Sequence, residues 1–305
     1  NGEMRKVWAL LLAGLLACLA MGAGADIAPE AWARITQALL SRQENPVPEE
    51  CRLSLRPGAL GQAAGLDDNW LNLVLMSTDA PDTARNFGRT DVLLLCSVHK
   101  ITGEVYLAAL PETARFSCPE LPGPLSLRYA NCFGGPALVL RSVNGLMGLN
   151  AEKYCAVNEA AFCRAVDALG GIRLALDAEE AERLMERPAA GTYALTGEQA
   201  LRYVRLRRAG AEANRLRLLQ AALAQALAGS GVDRLFSLAD ALLPLMDTNL
   251  TGNDLMDILF ALSEADMPQA FHTASLSLLP GEEYALNPAD VQAYREALYG
   301  KEEKQ

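Results

Sequence analysis

Asn72-Leu-Val-Leu-Met76 runs into Ser77-Thr78-Asp79, and after a loop from Pro81 to Gly88 the pattern returns as Asp91-Val-Leu-Leu-Leu-Cys-Ser-Val98. Short unbroken apolar runs bounded by turn residues predict buried strands, the first delivering an acid at its C-terminal end. His99-Lys-Ile-Thr-Gly103 is a turn signal ahead of a third run, Val105-Tyr-Leu-Ala-Ala-Leu110. The second and third runs are therefore expected to form an antiparallel hairpin.

Downstream the period changes. A helix is expected over Pro136 to Leu146, with Pro136 tolerated near its start. A strand follows at Tyr154 to Val157, then a helix over Glu159–Leu169 stopped by Gly170-Gly171, then a strand at Ile172 to Leu176. Thr196-Gly-Glu-Gln199 has the spacing of a capping box and opens a helix through about Val204. Arg215 to about Leu227 is a further helix, more helix lies between Val232 and Leu262, Ser275 to Leu279 is a last strand and Ala289 to Leu298 a last helix. Strands interspersed with helices predict an α/β fold: a single three-layer α-β-α domain with a mixed central sheet, over residues 69–300.

Upstream, Val7 to Ala25 is apolar or small throughout and follows Arg5 and Lys6. A basic flank before such a run predicts a signal peptide or membrane anchor over residues 1–25. Ala23-Gly24-Ala25 resembles a cleavage site, and a lipoprotein-type cut before Cys18 is another option. Residues 26–68, with a short amphipathic helix and Asn45-Pro46-Val47-Pro48, are expected to be a linker or stalk. The rest of the chain is then extracytoplasmic, anchored to the cell membrane or secreted.

Composition removes several chemistries. With 27 Lys+Arg against 37 Asp+Glu the net charge is −10, so a diffuse positive field for nucleic acid is excluded and any anion must meet a local cationic site. His99 and His272 are the only histidines, and none of the seven cysteines forms Cys-x-x-Cys. Zinc ribbons, thioredoxin-type redox motifs and histidine-led catalysis are not expected. Six cysteines remain if Cys18 leaves with the leader. Cys118 with Cys132 is the first disulfide pair to test, while Cys96 and Cys163 also read as small buried hydrophobes.

The ordered motifs resemble the LytR–CpsA–Psr (LCP) family of bacterial cell-envelope proteins. The resemblance rests on Asp79, on Gly88-Arg89-Thr90-Asp91, on Val105-Tyr-Leu-Ala-Ala-Leu-Pro111 and on Asn131-Cys-Phe-Gly-Gly135. It continues through Phe162-Cys-Arg-Ala-Val-Asp-Ala-Leu-Gly-Gly-Ile172 and Leu195-Thr-Gly-Glu-Gln-Ala-Leu-Arg-Tyr-Val-Arg-Leu-Arg207, with Thr248-Asn-Leu250 and Leu279-Pro-Gly281 as later landmarks. It implies an extracytoplasmic phosphotransferase that moves a glycopolymer phosphate from a polyprenyl-pyrophosphate lipid to a peptidoglycan acceptor, with magnesium or another divalent cation. Asp79 and Asp91 would hold the metal. Arg89, Arg205, Arg207 and Arg215 would bind phosphate, and Asp91, Arg89, Arg205 and Arg207 would be catalytic. Oxygen ligands suit magnesium shared with substrate phosphate, and guanidinium forks match phosphate oxygens. Carboxylates at strand ends also serve as turn or cap residues.

The chain departs from the family pattern at two places. Glu112-Thr113 stand where the resemblance expects arginine and aspartate, and Leu218-Leu219 where it expects arginine and glutamine, with Arg217 one position early. A noncatalytic module that binds polyprenyl-phosphate lipids or envelope glycopolymers is the alternative expectation.

Overall fold

The computed structural model describes residues 53, 60–80, 87–186, 189–206, 214, 217–218, 221–222, 246–251, 254, 257, 269–282 and 284–300. The apolar run Val7 to Ala25, Arg207 and Arg215 lie outside them. Among the described residues no helix is long and apolar enough to cross a membrane.

The apolar runs form the centre of the molecule. β1 (Trp70–Thr78), β2 (Thr90–His99) and β3 (Val105–Ala109) are strands, and β2 pairs antiparallel with both neighbours. β6 (Lys153–Asn158) lies parallel to β1, β10 (Phe271–Ser275) parallel to β3, and β9 (Met246–Thr248) antiparallel to β6. Among the described residues the sheet is thus six-stranded and mixed, in the order β10-β3-β2-β1-β6-β9. Two small hairpins stand apart, β4 (Arg115–Phe116) with β5 (Leu125–Ser126) and β7 (Ile172–Leu176) with β8 (Gly191–Leu195).

Because side chains alternate along a strand, the sheet buries both faces. Met76 pairs with Leu93 and Val74 with Leu95; these four pack with α1 (Leu127–Met147) and with Tyr294 and Leu298 of α5 (Pro288–Tyr299). The intervening Leu94 joins Leu107 and Ala109 on the other face. There Val92 also meets the cluster built by α2 (Glu159–Ala168), α3 (Ala178–Met185) and α4 (Gly197–Val204). One polar seam crosses the main core: Asn72 accepts from Ser97 and donates to Asn150 and Tyr299, and Ser97 meets Tyr294.

Several boundaries differ from expectation for local reasons. α1 begins at Leu127, ahead of Pro136, and breaks at Gly134 and Gly135, where Gly135 takes φ 60°, ψ −163°. Pro136 thus restarts a helix after a glycine kink. The last strand is Phe271–Ser275, earlier than expected; Leu278 makes an isolated bridge to Leu286 instead. Met246–Thr248 is an edge strand inside a stretch expected to be helical, too short to show a period of two. The packed unit also reaches upstream of Asn69, since Leu53 N donates to Phe133 O and Ala63 N to Leu149 O. Cys118 and Cys132 are not bridged to each other; Cys118 instead donates to Glu120 at 2.5 Å.

Candidate active site

The site lies at the end of the sheet where β1 and β6 finish and β2 begins. Thr78 and Asn158 are the last paired residues of the parallel strands β1 and β6, so Asp79 and Glu159 leave the sheet side by side. Asn158 caps α2 through Ala161 N, which makes Glu159 the first helical residue.

Gly88 lets the loop before β2 close on Asp79. A Cβ there would stand 2.4 Å from the backbone nitrogen of Ala80, closer than any side chain can approach. The closure gives Asp79 N→Arg89 O at 3.0 Å. Asp79 then grips Arg89 twice, Oδ1 accepting from the backbone N–H and Oδ2 from Nε, each at 2.6 Å. Asn131 of α1 donates to Gly88 O at 2.9 Å and fixes the loop from the helical side.

Asp91 is placed by a break in the ladder. Ser77 pairs with Val92 but Thr78 pairs with Thr90, so Asp91 is an extra residue on β2. Such a bulge re-aims a side chain and is common beside functional sites. The carboxylate meets Arg205, the residue that ends α4, with Nη2 2.5 Å from Asp91 Oδ2; the same nitrogen also pairs with Glu159. α4 is set by the expected reciprocal capping box of Thr196 and Gln199 and by Gly197 N donating to Asp167 Oδ1 at the end of α2.

The outcome is a row of alternating charge, Asp79, Arg89, Asp91, Arg205 and Glu159. Burial pulls Arg89 down, but hydrogen bonding to Asp79 and the fields of Asp79 and Asp91 outweigh it, so its pKa is raised. Arg205 behaves alike: burial lowers it, and hydrogen bonds to Glu159 and Asp91 carry it above its ordinary value. Both arginines stay charged at any accessible pH. Beneath them Thr90 Oγ1 is buried without a hydrogen-bond partner.

Asp79, Arg89, Asp91 and Arg205 therefore lie together at one end of the sheet. Glu159 was missed; its signal was a second apolar strand ending in an acid, legible only once β6 is known to lie parallel to β1. Among the described residues no three acidic, histidine or cysteine side chains form a metal cluster. Two carboxylates alone still suit a cation that draws its other ligands from substrate and water. Both histidines are remote: His99 ends β2 and pairs with Trp70, and His272 pairs with Tyr106.

The departures are compensated within the fold. Glu112 is not a bare charge, since Arg128 of α1 donates to it at 2.6 Å. Arg115 turns elsewhere, stacking over Tyr284 and lining a cavity of about 680 Å3 with Leu146, Leu286 and Arg295. Leu218 is buried in the α2–α4 cluster. Arg217 pairs with the buried Glu180 at 2.9 Å and donates to Ala175 O, away from the charged row.

The molecule is thus an α/β domain whose mixed sheet ends in acids on parallel strands, with arginines interleaved between them. The chain belongs to the LytR_cpsA_psr family, whose model matches residues 40–298. It is 25% identical over 201 residues to the polyisoprenyl-teichoic acid–peptidoglycan teichoic acid transferase TagU of Oceanobacillus iheyensis, covering 62% of each chain. The Enterococcus faecalis TagU is 23% identical over 194 residues, 61% of this chain and 64% of that one. The chain thus spans less than two thirds of the length of these curated relatives. Among solved structures, TagT bound to LIIa-WTA superposes with a TM-score of 0.60 at 19% identity, covering 78% of this chain and 93% of that one. TagV of B. subtilis gives 0.60 at 19% identity, over 76% and 97%. YwtF (TagT) with bound octaprenyl pyrophosphate lipid gives 0.55 at 19% identity, over 78% and 93%. At these identities the likeness is one of fold.

Proposed function

We propose that the chain is an extracytoplasmic phosphotransferase that moves a glycopolymer phosphate from a polyprenyl-pyrophosphate lipid to peptidoglycan. The observation that carries this reading is the row Asp79–Arg89–Asp91–Arg205–Glu159 in a member of this family. The names of the relatives support it, as does the octaprenyl pyrophosphate held by one protein of the same fold.

In the free protein the two guanidiniums are neutralised by the chain's own carboxylates. A pyrophosphate offers oxygens that fit the same forks bidentately, so Arg89 and Arg205 exchange carboxylate for phosphate, joined by Arg207 and Arg215. Asp79 and Asp91 would then be free to hold a magnesium ion or another divalent cation, which would neutralise phosphate charge. The acceptor hydroxyl oxygen attacks the phosphorus that bears the glycopolymer. A new P–O bond forms, the bond to the bridging oxygen breaks, and the lipid monophosphate leaves with the electron pair. The hydroxyl proton passes to Asp91 Oδ1, the oxygen that Arg205 does not engage. The product is a phosphodiester. The lipid tail needs an apolar track, and the sheet face starting at Val92 and continuing through Leu94 and Leu107 begins beside Asp91.

The test uses the full chain in detergent with magnesium and a short-chain polyprenyl-pyrophosphate glycan. Asp91→Ala and Arg205→Ala are each expected to lower turnover by about 100-fold or more. Equal turnover in the parent and Asp91→Ala removes Asp91 from the mechanism. Tight binding by the parent without turnover supports the second reading, a noncatalytic lipid-binding module. One observation favours that second reading: both oxygens of Asp79 are already taken by Arg89.

A further inference from the structure

Arg128 is the second residue of α1, in the turn where a cation opposes the helix dipole. That turn carries no acid, and Ser126 gives it no side-chain cap. A guanidinium offers five N–H donors. Among the described residues the Arg128 side chain uses Nη2 toward Glu112, while its Nε is buried with no acceptor at all. A buried donor left without an acceptor destabilises the fold. A local arrangement that opposes the dipole and wastes a donor marks a position set by function.

Its location points to the same site. Leu110 N donates to Leu93 O, continuing the β2–β3 pairing toward the start of β2, which brings Glu112 to the sheet end that carries Asp91. Residues three and four apart share a helix face. Asn131, three on from Arg128, holds Gly88 O, and Cys132, four on, is within electrostatic reach of Arg89. Arg128 therefore lies one helical turn from Asn131, the residue that holds the loop carrying Arg89. Glu112 also ties the helix start down, its carbonyl accepting from Arg128 N and Ser126 Oγ.

We propose that Arg128 is a further phosphate-binding residue of this site, a cation supplied from α1 and held by Glu112 until an anionic oxygen takes its unused N–H groups. The inference rests on the pyrophosphate-lipid reading above. It makes Glu112 a positioning residue whose negative charge sets the resting direction of Arg128.

The experiment measures binding of a short-chain polyprenyl pyrophosphate, and of the corresponding alcohol, to the full chain in detergent. Arg128→Gln is expected to weaken pyrophosphate binding about tenfold or more and to leave alcohol binding unchanged. Because Arg128→Gln removes one ion-pair partner of the half-buried Glu112, the double variant Glu112→Gln/Arg128→Gln is measured beside it. Recovered thermal stability with binding still weak supports the proposal. Recovered stability together with parental binding shows that the pair is only structural and overturns it. Parental binding in Arg128→Gln alone overturns it too, while leaving the pyrophosphate-lipid reading intact. A folded parent that binds the alcohol and pyrophosphate equally overturns both.

Discussion

Asp79 holds Arg89 by main chain and side chain at once, two contacts of 2.6 Å from the two oxygens of one carboxylate. The grip orders the loop into β2 and aims the guanidinium in one stroke. Asp79→Ala is expected to cost about 2–4 kcal/mol, since it removes two charge-assisted hydrogen bonds and leaves a partly buried arginine unpaired. Urea unfolding measures the loss, and turnover is expected to fall with it.

Gly88 makes that grip possible. In Gly88→Ala the new methyl meets backbone, not the yielding end of a side chain, so the loop must move. An expected cost of about 1–3 kcal/mol follows from overpacking of this kind. Lower activity in protein still folded at the assay temperature would separate the displaced Arg89 from global unfolding.

Thr90 presents the opposite case. Its hydroxyl is fully buried and makes no hydrogen bond. Thr90→Val replaces an unsatisfied polar atom by a methyl of similar shape, and the variant is expected to gain up to about 1 kcal/mol. A clear loss of stability in thermal unfolding would mean that the hydroxyl is satisfied in solution.

Cys155 ties stability to alkaline pH. Burial pushes its thiol up, and Asp247 pushes it further. The unfolded thiol ionises near its ordinary value of about 8.5 while the folded one stays protonated. Above that pH the unfolded state binds fewer protons than the native state, so stability falls as pH rises. Denaturant midpoints between neutral pH and pH 10 are expected to decline, with a shallower slope in Cys155→Ala.

The central strands, their hairpin and the capped helix ahead of Arg205 were legible because each rests on a local signal: an apolar run, a turn tetrapeptide, a reciprocal Thr196–Gln199 cap. Asp79, Arg89 and Asp91 were legible through their order in the family pattern. Glu159 and Arg128 were not, because their roles arise across 80 and 16 positions of sequence, from Thr78 to Asn158 and from Glu112 to Arg128. The glycine kink was hidden by Pro136, which reads locally as a helix start. Arg217 was seen to be out of phase, but its destination at Glu180 depends on the hairpin of β7 and β8 and on α3, and no neighbouring residue announces it.

The bulge at Asp91 has one more implication. Thr90 and Val92 already supply the partners of Thr78 and Ser77, so the hydrogen-bonded ladder would close without a residue between them. Excising residue 91 alone should yield a regular hairpin with Leu93 and Leu95 still facing the main core, a chain that folds and has lost the carboxylate. Scaffold and carboxylate are separable at this position: a single-codon deletion is expected to remove the acid while sparing the ladder that carries it.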